Sequence, residues 1–381
     1  MRAAWLGGLA LLTGLAALGS VTGCRTRMVR AAEEPAPSAP PKWIDGSPHL
    51  TESAEIEGLH LTYLDWGGVG PTVVLVHGLG GNPHIFDDLA PLLREHHHVL
   101  AYARRGHGDS DAPARGPYDL RAMVSDLRGF LDRLRIDRAD LVAWSTGGDE
   151  VTRFAAVAPE RVDKLVYLDA GYDFSDPRFL EAYGKIVADT KAADDDYASL
   201  DAYRAWFQDV WLGAHQTWTP GLEAFLRDRV GVGDDGRVTP RTPKGVAKQL
   251  FASLEDAPRD YTRVTAPALA LYATSFFPTD SANADRAALT RAFERRVGAP
   301  FREANMARVR RELRGATVRE VPGTTHVSIG VSGVESLAAT IEDFLAETVA
   351  AAAPDGGEDR PRDAAPPPFR QSEQSERAGA Q

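Results

Sequence analysis

Short apolar runs recur at residues 72–76 (Thr-Val-Val-Leu-Val), 99–103, 141–144, 164–168 and 268–273. Most are separated by stretches of helical spacing, for example over residues 120–134. A run that is apolar at nearly every position has no solvent face, so it suits a parallel strand covered on both sides. Alternation of such runs with helices predicts an α/β fold built on a doubly wound, mostly parallel sheet. Residues 56–66 read as an opening hairpin of two strands. A last strand over 317–321 and a last helix over 334–349 complete the pattern.

The rhythm stops between residues 174 and 262. Helical patterns continue there without a convincing parallel strand, so this stretch is expected to be a helical lid inserted after the sixth strand. The core is then 50–173 and 263–349. Within the lid, Tyr203, Trp206, Phe207, Val210 and Trp211 fall on one helix face. That spacing serves internal packing first, with pocket lining as the alternative.

Both ends of the chain have a different character. Arg2 precedes an apolar run over residues 5–18, too short for a membrane span and matching the apolar core of a signal peptide. It ends in Val21-Thr22-Gly23-Cys24, which resembles a bacterial lipobox. The resemblance implies an exported protein held at the cell envelope by a lipid anchor on Cys24. A leader cut elsewhere, giving a secreted or periplasmic soluble form, is the alternative. Cys24 is the only cysteine, so no internal disulfide is possible. Residues 25–49 are rich in Pro and Ala and read as a tether; residues 350–381 read as a disordered tail.

A net charge of −11, with Lys and Arg spread along the chain, excludes a nucleic-acid groove. The Arg-rich helical stretch 308–314 reads as a solvated face.

Four segments carry chemistry. Ala143-Trp144-Ser145-Thr146-Gly147-Gly148 joins a strand to a helix, and small residues two positions either side of Ser145 allow the tight turn that exposes a nucleophile. His77-Gly78-Leu79-Gly80-Gly81 follows the strand at 72–76, where a backbone N–H can meet a developing oxyanion; Leu79 and Thr146 are the expected donors. Arg104-Arg105-Gly106-His107-Gly108-Asp109-Ser110 follows the next strand, with His107 a structural turn residue. His326 ends Pro322-Gly323-Thr324-Thr325-His326 after the last strand.

Together these segments resemble the α/β-hydrolase superfamily, most nearly the branch of small esterases, perhydrolases and cofactor-free haloperoxidases. The resemblance implies a catalytic triad in which Ser145 attacks and His326 moves its proton. It leaves the acid open. The usual place, after the strand at 268–273, holds Thr274-Ser275-Phe276-Phe277, with Asp280 further on. Some members place the acid one strand earlier, where Asp169 stands. Asp169 is the first candidate, with Asp280 the alternative and Asp173 behind both. Trp144 and Phe276 are expected to line the substrate pocket.

The function expected is a hydrolase of small, fairly apolar carboxylic esters, acting through an acyl-enzyme at Ser145. An amidase, lactonase, C–C hydrolase or perhydrolase would use the same residues. An inactive α/β-hydrolase fold serving as a binding protein is the non-enzymatic alternative. No cofactor and no metal is expected; the His96-His97-His98 triplet lacks a carboxylate cluster at ligand spacing and reads as a surface turn.

Overall fold

Eight strands build one sheet in the computed structural model, which describes residues 43–255 and 258–347. In chain order they are β1 (Leu50–Ile56), β2 (Leu59–Gly67), β3 (Thr72–Val76), β4 (His98–Tyr102), β5 (Ala139–Trp144) and β6 (Val162–Leu168). A separate two-stranded pair, β7 (Val230–Val232) and β8 (Val238–Pro240), precedes β9 (Ala268–Ser275) and β10 (Thr317–Thr325). The sheet order is β1-β2-β4-β3-β5-β6-β9-β10. β1, β2 and β4 pair antiparallel and every later neighbour pairs parallel. This is the doubly wound, mostly parallel sheet that the apolar runs predict.

Alternate residues of the central strands feed two cores, one on each face. Val74, Val76, Leu141 and Ala143 enter the first, and Val73, Leu75, Val142 and Trp144 the second. All are buried, which is why the runs carry no polar phase. Each fully buried Val or Leu contributes about 1.5–3 kcal/mol of transfer free energy.

The helices are α1 (Ala90–Leu93), α2 (Leu120–Arg133), α3 (Gly147–Val157), α4 (Pro177–Asp189), α5 (Leu200–Phe207), α6 (Pro220–Asp228), α7 (Lys244–Glu255), α8 (Ala284–Phe293), α9 (Ala299–Glu312) and α10 (Val334–Ala346). α4 to α7, with β7 and β8, lie in the chain between β6 and β9. The two three-residue strands are too short to leave a periodic signal. The stripe expected on a single helix divides: α5 ends at Phe207, and residues Gln208–Leu212 form a π-helical turn.

Several boundaries differ from the sequence reading. The opening hairpin begins at Leu50, earlier than the apolar pattern suggests, since the first four positions of β1 are exposed and none is buried before Ala54. The tether read as far as residue 49 is shorter, since the compact unit starts at Asp45 and His49 has a buried side chain. The helical spacing of Phe86, Leu89, Leu92 and Leu93 does not produce one helix. A 3-10 turn at Pro83–Phe86 and the short α1 divide them, with Pro91 near the start of α1. Arg308 is not on a solvated face: it pairs with Asp173 and with Glu312, whereas Arg310 and Arg311 are exposed. In the His96–His98 run His96 is exposed, buried His97 faces Glu342, and His98, partly exposed beside Asp65, opens β4. The leader, Cys24 and the C-terminal tail lie outside the described residues.

Candidate active site

Four of the parallel strands end at one cluster of side chains. Leu79 follows β3, Ser145 follows β5, Asp169 follows β6 and His326 follows β10. The C-terminal edge of an open parallel sheet is where such folds gather their ligands.

Ser145 sits at φ +58°, in the left-handed region, between β5 and the first turn of α3. A non-glycine residue held there stores about 1–3 kcal/mol of strain, offset by the surrounding structure. Two glycines make the turn feasible. A Cβ on Gly147 would lie 2.5 Å from the Val76 carbonyl oxygen, and one on Gly78 would lie 2.4 Å from the Ser145 Cβ.

His326 Nε2 lies 2.8 Å from Ser145 Oγ, and Nδ1 lies 2.6 Å from Asp169 Oδ2. With the Nδ1 proton donated to the carboxylate, Nε2 is left as an acceptor for the serine hydroxyl. Asp169 is fully buried and its other oxygen accepts from the Ala273 N–H at 2.9 Å and from the Tyr172 hydroxyl at 2.6 Å. Burial and the Asp169 charge push the Tyr172 phenol well above its ordinary range, so it stays a donor.

Asp280, the alternative acid, is exposed and faces His215 at 3.5 Å. The chain leaves β9 through Phe276 and Phe277, whose rings are buried, and this carries Asp280 away from His326. Asp173 bonds Ser175 and Arg308 instead.

Trp144 and Phe276 flank the imidazole, with ring centroids 5.5 and 5.9 Å from that of His326. The Trp144 indole N–H also donates to the His326 carbonyl at 2.7 Å, tying the backbone of His326 to the residue before Ser145. Both rings line a cavity of about 270 Å³ that opens on Ser145 and His326. From the insertion, Val187, Phe207, Trp211 and Phe251 add apolar walls. The divided stripe thus splits its duties: Phe207 and Trp211 reach the cavity, whereas Tyr203 packs against Trp206 and Tyr197.

The two expected oxyanion donors are not equivalent. The Leu79 N–H is already used, donating to Thr146 Oγ1 at 2.9 Å, and the Arg104 guanidinium donates to the same hydroxyl. In the expected role, a substrate oxygen would have to displace that hydroxyl to gain the Leu79 N–H. This competition was invisible from sequence, because it depends on the rotamer of a side chain expected to contribute only its backbone.

Two neutral histidines hold the loop after β3. His77 Nδ1–H donates to the Gly78 carbonyl and Nε2 accepts the Arg104 N–H. Burial first, then the competition with a proton on neighbouring His107 and the Arg104 charge, pushes its pKa well below the ordinary value. His107 Nε2 accepts the Gly80 N–H at 3.0 Å, and burial beside Arg104 brings its pKa down to about 3. His107 is therefore a structural residue of the oxyanion loop rather than of its own turn alone.

Arg229, from the end of α6, was missed in the sequence. It lines the same cavity, donates to the Gly80 carbonyl and lies over the Phe207 and Phe225 rings at 5.2 Å each. Among the described residues no carboxylate forms an ion pair with it, and its Nε has no hydrogen-bond partner.

Comparison with known proteins agrees with this geometry at the level of fold. The model of the alpha/beta hydrolase fold family matches residues 71–215. Over 132 residues the chain is 36% identical to the pimeloyl-[acyl-carrier protein] methyl ester esterase of Neisseria meningitidis, covering 33% of this chain and 48% of that protein. It is 28% identical over 186 residues to the 2-hydroxy-6-oxo-2,4-heptadienoate hydrolase of Pseudomonas putida, covering 42% and 67%. The chain spans 30% of the length of the first curated relatives it matches. Among solved structures, an E-2-(acetamidomethylene)succinate hydrolase superposes with a TM-score of 0.58 at 22% identity, over 78% of this chain and 99% of that one. The protein has the α/β-hydrolase fold. The family model and the hydrolases among its relatives support the α/β-hydrolase superfamily for it.

Proposed function

We propose that this protein is a serine hydrolase that cleaves small, fairly apolar carboxylic esters through an acyl-enzyme at Ser145. The observation that carries the reading is the continuous Ser145–His326–Asp169 hydrogen-bond chain at the floor of an apolar cavity. Ser145 Oγ attacks the ester carbonyl as His326 Nε2 takes its proton, and Asp169 holds the Nδ1–H and stabilises the imidazolium. The tetrahedral oxyanion forms beside the Thr146 N–H and gains the Leu79 N–H as the Thr146 hydroxyl yields it. His326 then protonates the departing alcohol, and water repeats the sequence on the acyl-enzyme. A cavity of about 270 Å³ suits an acyl group of a few carbons.

The test is hydrolysis of p-nitrophenyl esters from acetate to laurate by the full chain in detergent, beside Ser145→Ala. Turnover that vanishes in the variant, with an optimum at short chains, is the expected result. Equal near-zero rates in both would instead favour an inactive fold with a binding role.

One observation favours a second reading within the same chemistry. Arg229 places a cation without a carboxylate partner in the cavity, which suits a substrate that carries its own carboxylate. The Pseudomonas putida relative is named for such an acid. On this reading the scissile group is an ester, lactone or C–C bond of a small organic anion.

The leader and Cys24 support export and lipid anchoring at the cell envelope. Partition of the full chain into a detergent phase, lost in Cys24→Ser, tests that placement. Among the described residues no helix is long and apolar enough to cross a membrane.

A further inference from the structure

We propose that Asp45, His49, His84 and Asp87 hold a structural zinc ion, at a place the hydrolytic chemistry does not use. Asp45 and His49 lie just before β1. His84 and Asp87 belong to the 3-10 turn at Pro83–Phe86 and its end, directly after the oxyanion loop. One ligand atom from each of the four falls within 4.8 Å of all the others.

The nitrogen–oxygen edges of this group have the size a small ion requires. His49 Nε2 lies 3.1 Å from Asp45 Oδ2 and 3.7 Å from Asp87 Oδ1. His84 Nδ1 lies 3.6 Å from Asp45 Oδ2 and 2.8 Å from Asp87 Oδ2. Zinc bonds of 2.0–2.1 Å in a tetrahedron give ligand–ligand edges of about 3.3–3.4 Å, inside the range these distances span, with Asp87 offering Oδ1 to His49 and Oδ2 to His84.

The group is also incomplete as it stands. The His49 side chain is 3% exposed; its Nδ1 has no hydrogen-bond partner, and its Nε2 meets only the Asp45 and Asp87 carboxylates, without a well-aligned hydrogen bond to either. The Asp87 side chain is 2% exposed and its Oδ1 has none either. Buried polar atoms are almost always satisfied, and an imidazole and a carboxylate left open toward each other call for a shared cation. Two carboxylates match the charge of a divalent ion, and two imidazoles favour zinc over calcium or magnesium, which take oxygen ligands. Ser47 Oγ donates to Asp87 Oδ2 at 2.9 Å, the outer hydrogen bond that orients a ligating carboxylate.

Such an ion would fasten two pieces of chain directly. It would join the segment entering β1 to the turn after the oxyanion loop. Through Asp88, which accepts from Thr219 at 2.6 Å, that turn also meets the start of α6.

The experiment uses the full chain, stripped with a chelator and titrated with zinc chloride, with metal content and Tm as readouts. Bound zinc of about one equivalent and a Tm rise of about 5 °C or more are expected. Cobalt in place of zinc should give the intense visible bands of a tetrahedral site, and calcium should not compete. Asp45→Asn and His49→Asn should lose the equivalent, while their metal-free Tm values stay near that of the stripped parent, which separates lost binding from misfolding. His96→Asn should keep it. Binding below a tenth of an equivalent would overturn the proposal. So would zinc retained in both site variants, or lost in His96→Asn.

Discussion

Asp169 reaches His326 from the end of β6, one sheet position before the strand that usually supplies the acid, with Oδ2 2.6 Å from Nδ1. Its second oxygen is tied to the Ala273 N–H, in the very strand whose end carries phenylalanines where an acid is common. Asp169→Asn would keep the shape and lose the preference for the Nδ1–H tautomer. The expected loss in kcat is about 10³–10⁴-fold with folding intact. Asp280→Asn should change ester turnover by less than about twofold, since Asp280 is exposed and faces His215. Steady-state kinetics on one short p-nitrophenyl ester compares the two. Equal losses would remove Asp169 from its assigned place.

Thr146→Ala would release the Leu79 N–H from its internal acceptor. A neutral hydrogen bond nets about 1 kcal/mol, so kcat/KM should rise by up to about fivefold. A fall of similar size would mean that the hydroxyl itself serves the oxyanion. The arms are read from kcat/KM on acetate and butyrate esters.

Arg229→Met would remove the guanidinium and keep apolar bulk beside Phe207 and Phe225. Hydrolysis of an ester with a terminal carboxylate, such as p-nitrophenyl hydrogen glutarate, should drop by about tenfold or more in kcat/KM, against less than about threefold for the neutral butyrate. Parallel losses on both esters would limit Arg229 to supporting the Gly80 loop.

Asp140, at the buried start of β5, has an Oδ1 with no hydrogen-bond partner. Burial, then repulsion from Asp163, push its carboxyl up to about 7 from an ordinary 3.8. Between those values the folded chain binds more protons than the unfolded one, so this group lowers stability progressively as pH rises through the window. Asp140→Asn should raise Tm by several degrees at pH 8 and by little at pH 4. Buried Glu150, also raised to about 7, would leave a residual slope. Thermal melts across pH 4–8 supply the comparison; an unchanged slope in the variant would count against the assignment.

What the sequence could reveal followed how local each feature is. The elbow was legible because Ala143, Ser145 and Gly147 act within one turn. The order of strands was legible because each is buried on both faces and so apolar throughout. Asp169 was reachable because it directly follows β6. By contrast, the Thr146 hydroxyl on the Leu79 N–H joins residues far apart in sequence through a rotamer. Arg229 arrives from an insertion whose short β7 and β8 have no periodic signature. The Asp45/His49 and His84/Asp87 pairs each lack a ligand pattern of their own along the chain. They meet only once β1 and the turn after β3 are folded side by side.

Trp144 is at once a wall of the cavity and, through its indole N–H, a strut beneath the backbone of His326. On the proposed mechanism, substrate range and proton transfer are therefore not independent variables in this protein. Trimming residue 144 to admit a bulkier acyl group would also loosen the base. Adaptation toward new substrates has a freer route through Val187 and Phe251, which border the cavity from the insertion. A lineage diversifying from this scaffold should accumulate change there first and leave position 144 alone.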